Sequence, residues 1–263
     1  MAIEDRDTGT EAEAPQFGEP GLDDPKAWAR NWVVALLEAD SDIPGLLERL
    51  GLAADHEHLL EAVPEQDWVR LTQSQFDPIR ISERLWIVPS WHESPDPAAL
   101  SLVLDPGLAF GTGSHPTTRL CLQWLEANIR QGESVLDYGC GSGILAMAAK
   151  LLGAGTVMGV DLDPQAVVAS RDNAQRNRID ATFCLPGDLP ESRFDVLVAN
   201  ILTNPLKALM PLLASRVIAG GRLVLSGILT EQAEEIATIY GQVFDMRIWK
   251  AEEGWVCLTG EKH

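Results

Sequence analysis

The stretch Asp137-Tyr138-Gly139-Cys140-Gly141-Ser142-Gly143 places three glycines at alternate positions. A backbone without Cβ atoms turns sharply there and lets a ligand approach closely. The apolar run Ser134-Val135-Leu136-Asp137 precedes the turn, and a helical pattern from Ile144 to Leu152 follows it. Open α/β sheets bind ligands where a strand feeds such a turn into a helix. The next apolar run, Val157 to Asp161, ends in a carboxylate 22 residues beyond Gly139. That distance suits an acceptor for ribose hydroxyls. A tight turn without a ligand is the bland alternative, and it leaves Asp161 unexplained.

Two nucleotide cofactors share this layout. A nicotinamide dinucleotide needs Gly-x-Gly-x-x-Gly, so that its pyrophosphate sits on the helix N-terminus. Counted from Gly139, the third glycine of that pattern falls on Ile144. Asp137 is also a poor neighbour for pyrophosphate, whereas it can face the cationic amino group and sulfonium end of S-adenosylmethionine. The residues favour the methyl donor over the dinucleotide, with Asp137, Gly139, Gly141 and Asp161 as its contacts.

The elements that must hold these residues alternate in type. Strand-length apolar runs at Ser134–Asp137, Val157–Asp161, Phe194–Ala199 and Arg222–Ser226 are followed by helix-length patterns at Ile144–Leu152, Pro164–Asn177, Pro205–Val217 and Glu231–Tyr240. This alternation predicts βαβ units in a doubly wound, mostly parallel α/β sheet. Asp163 before Pro164 is a good helix cap. The last two runs, Phe244–Lys250 and Trp255–Gly260, are joined by Ala251-Glu252-Glu253-Gly254. A short link with glycine predicts a hairpin, so the sheet is expected to end with an antiparallel strand.

Upstream, residues 1–25 are rich in Glu, Asp, Gly, Pro and Thr and read as a flexible or marginally ordered lead-in. Ala27–Leu37 fits a strand or a helix, Ile43–Leu50 fits a helix with proline in its first turn, and His58–Ala62 fits a weak helical fragment. Together they suggest a small α+β unit over residues 1–64. Residues 65–98 read as a connector, with a helix at Glu65–Gln75 carrying Trp68, Val69 and Leu71, a strand at Leu85–Val88 and a turn at Ser94–Pro97. The sheet domain is expected over residues 99–263.

The chain has 263 residues and a net charge of −19, which disfavours binding to nucleic acid. Residues 1–66 hold 16 Asp/Glu against 4 Lys/Arg. This acidity suits either a solvated surface or a docking face for a basic partner. No run approaches the roughly 20 apolar residues of a membrane span, and the acidic start is unlike a signal peptide. Cys121, Cys140, Cys184 and Cys257 are scattered, which argues against a zinc site or a disulfide frame and fits the cytoplasm. A monomer without metal is expected.

The glycine spacing resembles class I S-adenosylmethionine-dependent methyltransferases. The loop Leu104-Asp105-Pro106-Gly107-Leu108-Ala109-Phe110-Gly111-Thr112-Gly113-Ser114-His115-Pro116-Thr117-Thr118, with Val198-Ala199-Asn200-Ile201-Leu202 further on, narrows the likeness. It is similar to the lysine methyltransferases that act on large-subunit ribosomal protein eleven. The likeness covers about residues 65 to 263. It implies a seven-stranded sheet, cofactor contacts at Thr118, Gly139, Asp161 and Asn200, and methyl transfer to lysine and N-terminal amines of that ribosomal protein. Asn200, at a strand end, is the candidate to orient cofactor or amine. The glycines around Thr118 suit a lid, while His115 suits packing better than proton transfer. The family's small α+β recognition domain is expected to lack its first strand and helix here.

Two other readings stand beside this one. Methyltransferases acting on glutamine or adenine often carry Asn-Pro-Pro-Tyr where this chain has Asn200-Ile201-Leu202-Thr203, which points to another acceptor. A cofactor-binding assembly factor without catalysis would keep the same glycine turn.

Overall fold

The computed structural model describes residues 2–5, 31–35, 37–38, 40–53, 56–60, 76–105 and 113–263. The chain divides into two units, Met1–Gln66 and Asp67–His263.

In the first unit, β1 (Ala2–Asp5) pairs antiparallel with β2 (Asn31–Val34), and α1 (Ile43–Arg49) follows. The Asp42 side chain caps α1 by accepting from the Gly45 N–H at 3.0 Å, with Pro44 in the first turn. The strand-or-helix choice for Ala27–Leu37 resolves as strand over Asn31–Val34. Of the lead-in expected over residues 1–25, Ala2–Asp5 forms β1, a four-residue strand that a composition average does not reveal, and residues 6–25 lie outside the described residues. His58–Leu60 forms no helix, and Leu59 and Leu60 are exposed, so no apolar face is buried to stabilise one. The helix expected at Glu65–Gln75 lies outside the described residues, as do Gly107 and Gly111 of the expected lid.

The second unit opens with a three-stranded sheet, β3 (Ile79–Arg80), β4 (Leu85–Val88) and β5 (Leu100–Val103). β4 pairs antiparallel with β3 and parallel with β5. Helix α2 (Pro116–Asn128) follows, then β6 (Val135–Tyr138), α3 (Ile144–Leu151), β7 (Val157–Val160), α4 (Pro164–Asn177) and β8 (Thr182–Cys184). The chain continues through β9 (Phe194–Asn200), α5 (Thr203–Ser215), β10 (Val217–Leu229), α6 (Ala233–Tyr240), β11 (Phe244–Glu252) and β12 (Trp255–Lys262).

The seven-stranded sheet runs β11-β12-β10-β9-β6-β7-β8. Strands β6 to β10 are mutually parallel, and β12 is antiparallel to both of its neighbours. The expected hairpin is present, but its antiparallel strand lies inside the sheet, so β11 forms the edge. The turn is only Glu253-Gly254, both at positive φ (51° and 80°), and the two strands extend closer to it than the pattern indicated.

Both faces of the sheet are covered, so the central strands are buried on both sides. Val135, Val196 and Val198 pack with Leu120 and Trp124 of α2 and Met147 of α3. Leu136, Leu197 and Leu225 pack with Leu206 and Leu213 of α5 and Ile236 and Tyr240 of α6. All four cysteines are buried. Asn177 ties β5 to α4: its carboxamide donates to the Val103 carbonyl at 2.8 Å and accepts from the Val103 N–H at 2.7 Å.

Candidate functional site

The glycine turn leaves β6 with Gly139, Gly141 and Gly143 at φ of +80°, +52° and +80°. Side chains rarely adopt that conformation. Packing excludes them as well: a Cβ on Gly139 would stand 2.3 Å from Ile201 Cγ2, and one on Gly143 would meet Ser170 and Phe183 at 2.9–3.0 Å. The turn is pinned from two neighbours. Gly139 and Cys140 donate their N–H groups to the Val160 carbonyl at 2.7 and 3.0 Å, and Asn173 of α4 donates to the Ser142 carbonyl at 3.0 Å.

Asp161 follows β7 directly. One carboxylate oxygen accepts from the Gly141 N–H at 2.8 Å and the other from the Asp163 N–H at 3.0 Å. Each oxygen keeps acceptor capacity for an incoming hydroxyl. Leu162 beside it is 84% exposed.

Asn200 ends β9. Its Nδ2 donates to Thr118 Oγ1 at 3.1 Å, which joins β9 to the first turn of α2. With Nδ2 so engaged, the carboxamide oxygen is the acceptor left to a ligand. Thr118 is buried and belongs to the helix rather than to a loop. His115 caps that helix. Its Nδ1 accepts from the Thr117 N–H at 3.3 Å, and its ring meets Trp255 edge-on at 5.0 Å. Burial holds the His115 pKa below its ordinary value, consistent with a packing and capping role. Arg119 pairs with Glu252 at 3.1 Å and Glu253 at 3.4 Å, bracing the closing hairpin against α2.

A cavity of about 510 Å³ opens at this edge of the sheet, and Thr118, Gly139, Gly141, Asp161 and Asn200 all line it. Its wall also includes Ile201, part of the motif around Asn200, and Leu162, Pro186, Pro205 and Leu209, which the sequence reading did not single out. The only signal for Leu162 was its place directly after Asp161. The others follow strand ends whose chain order does not reveal their proximity.

Asp137 is placed differently. It is fully buried and absent from the cavity wall. One of its oxygens accepts from the Ala146 N–H at 3.0 Å in the first turn of α3, and Oδ1 has no partner. Burial raises its pKa to about 7, with the Ala146 hydrogen bond opposing and the Asp161 charge adding. Asp137 therefore ties the end of β6 to the start of α3 across the glycine turn.

The donor set fits S-adenosylmethionine. Asp161 offers acceptors for a ribose diol, Leu162 and Pro186 offer apolar surface for a planar base, and the bare glycine backbone admits a close approach. Ile144 lines the wall where a dinucleotide site requires glycine.

Over its full length, residues 1–263, the chain matches the family described as ribosomal protein L11 methyltransferase (PrmA). The chain belongs to this family. Family members so named from Thiobacillus denitrificans and Cupriavidus necator are 61% and 57% identical to it, over all of this chain and 90% and 89% of their own lengths. A crystal structure of ribosomal protein L11 methylase from Lactobacillus delbrueckii subsp. bulgaricus is 34% identical, with a TM-score of 0.66 over 72% of this chain and all of that one. A 16S rRNA methyltransferase from T. Thermophilus, solved with AdoMet and guanosine, shares the fold at 24% identity and a TM-score of 0.51, over 59% of this chain and 45% of its own.

Proposed function

We propose that this protein transfers methyl groups from S-adenosylmethionine to lysine and N-terminal amines of ribosomal protein L11. The observation that carries the reading is that Asp161, hydrogen-bonded to the glycine turn, and Asn200, hydrogen-bonded to Thr118, line one cavity. Full-length family membership supports the substrate.

Bound in this cavity, S-adenosylmethionine supplies an electrophilic methyl group. Asp161 holds the ribose, and Gly139 and Gly141 let the backbone approach the amino-acid end. Asn200 presents its carboxamide oxygen to an N–H of the acceptor amine, while its Nδ2 donates to Thr118 Oγ1. The backbone carbonyls of this loop are less suited to that task. The Leu202 carbonyl accepts from the Leu206 N–H at 3.2 Å, and the Ile201 oxygen lies close against Gly227, 2.3 Å from where a Cβ there would stand. Catalysis is mainly positioning for in-line displacement.

A lysine amine with an ordinary pKa of about 10.4 must lose a proton before attack. Among the described residues of the wall, Asp161 is the only carboxylate, and burial pushes the Tyr138 hydroxyl and Cys140 thiol upward. The proton therefore leaves to water.

In this reading residues 1–64 form an acidic substrate-recognition unit, 65–98 a connector and 99–263 the catalytic domain. The protein works as a cytoplasmic monomer without direct nucleic-acid or membrane contacts. Among the described residues, no helix is long and apolar enough to cross a membrane. Incubation with methyl-labelled donor and L11, followed by peptide mass spectrometry, is expected to find label on lysine and the N-terminal amine. Unlabelled L11 would remove the substrate assignment.

A further inference from the structure

From Arg222 to Ser226, strand β10 pairs in unbroken register with β9, and Ser226 lies opposite Asn200. Against β12 its register shifts between Leu225 and Ile228, leaving Ser226 and Gly227 in an irregularity. Such bulges beside functional sites re-aim the local chain. Gly227 has φ +82°, and a Cβ there would stand 2.3 Å from the Ile201 oxygen and 2.8 Å from its carbonyl carbon. Only bare backbone fits against the Ile201 peptide. On its other side, Ile201 Cγ2 fills the space above Gly139. Residue 201 is gripped between the glycine turn and the bulge.

Beyond the bulge, Gln232 ends the short 3-10 turn Thr230–Gln232. Its Oε1 accepts from the Leu229 N–H at 3.0 Å and the Thr203 hydroxyl at 2.6 Å. A backbone N–H can only donate, so the amide oxygen must face inward and Thr203 must be the second donor. Thr203 is buried and opens α5. One oxygen thus staples the end of β10 to the start of α5. The loop between β9 and α5 is held to β10 at three points: Asn200 by strand register, Ile201 by Gly227, and Thr203 by Gln232.

We infer that Gln232 is a positioning residue for methyl transfer, acting through Thr203 to hold the Asn200–Leu202 loop in register with the glycine turn. It is not part of the cavity wall. The inference rests on the proposed role of Asn200 toward the amine. Small displacements of such a loop cost rate more than cofactor affinity, because the chemistry depends on alignment.

The test compares Gln232→Ala with Gln232→Glu, which keeps an oxygen able to accept both donors. For Gln232→Ala, kcat on L11 is expected to fall about 10- to 100-fold. Its S-adenosylmethionine Kd should stay within about twofold of wild type, and the amides of residues 200–204 should exchange hydrogen about tenfold faster. Gln232→Glu should restore both kcat and protection. Wild-type kcat and exchange in Gln232→Ala would overturn the inference, as would equal loss in both variants. If Gln232→Ala does not fold, Thr203→Val and Thr203→Ser carry the same contrast, since only serine retains the donor. An absence of methyl transfer by the wild-type protein counts against the function reading, and the exchange measurement then decides the positioning role alone.

Discussion

At the scale of single residues, Asp137 has the largest electrostatic consequence. It is a fully buried carboxyl with one unpartnered oxygen, and its pKa is raised from 3.8 to about 7. The folded state therefore holds a proton that the unfolded state has released between about pH 4 and pH 7. Linkage then makes the stability contribution fall as pH rises through that window, by about 1.4 kcal/mol per pH unit, and level off above it. Asp137→Asn keeps an acceptor for the Ala146 N–H but cannot ionise. Calorimetric melting of the free protein should show this variant gaining on wild type from pH 4.5 to 7.5, and a constant difference would refute the assignment. Glycine spacing and a strand end pointed to Gly139 and Asp161, the family resemblance added Thr118 and Asn200, and all four line one cavity. The sequence did not reveal that Asp137 is absent from that wall. Asp137 is still inside β6, where side chains point to the faces of the sheet, whereas Asp161 and Asn200 stand at strand ends.

At the scale of elements, the βα alternation was legible because strands buried on both faces read as continuous apolar runs. Pro164–Asn177 was recovered to the residue through its Asp163 cap. The three-residue strand β8 is too short to carry a pattern. Helix α2 was missed for a different reason: glycines and Pro116 mark a loop, and its cap is a histidine rather than a residue of the usual capping set. Gly143 shows how tightly these elements meet, since its turn packs on Ser170 of α4 and Phe183 of β8. Gly143→Ala combines positive-φ strain with a close contact and should destabilise by about 1–3 kcal/mol. Chemical denaturation measures this directly, and a loss below about 0.5 kcal/mol would mean that α4 and β8 give way easily.

At the scale of the whole molecule, charge is the property the sequence displayed most openly, while its use depends on the partner. The net charge is −19, and residues 1–66 carry 16 acidic against 4 basic side chains. If that acidity draws in a basic, lysine-bearing substrate, KM for L11 should rise several-fold between about 50 and 300 mM salt, because screening shortens the reach of exposed charge. The Kd for S-adenosylmethionine, set inside the cavity, should change little. A salt-independent KM would assign the acidic segment to solubility alone. Both expectations depend on the claim that the glycine turn and Asp161 form the cofactor site. Titration calorimetry of S-adenosylmethionine into wild type and Asp161→Ala tests that claim most directly. One site per chain in the wild type, weakened about 10- to 100-fold in the variant, is the predicted result. No binding by the wild type, or equal affinity in the two proteins, would contradict it.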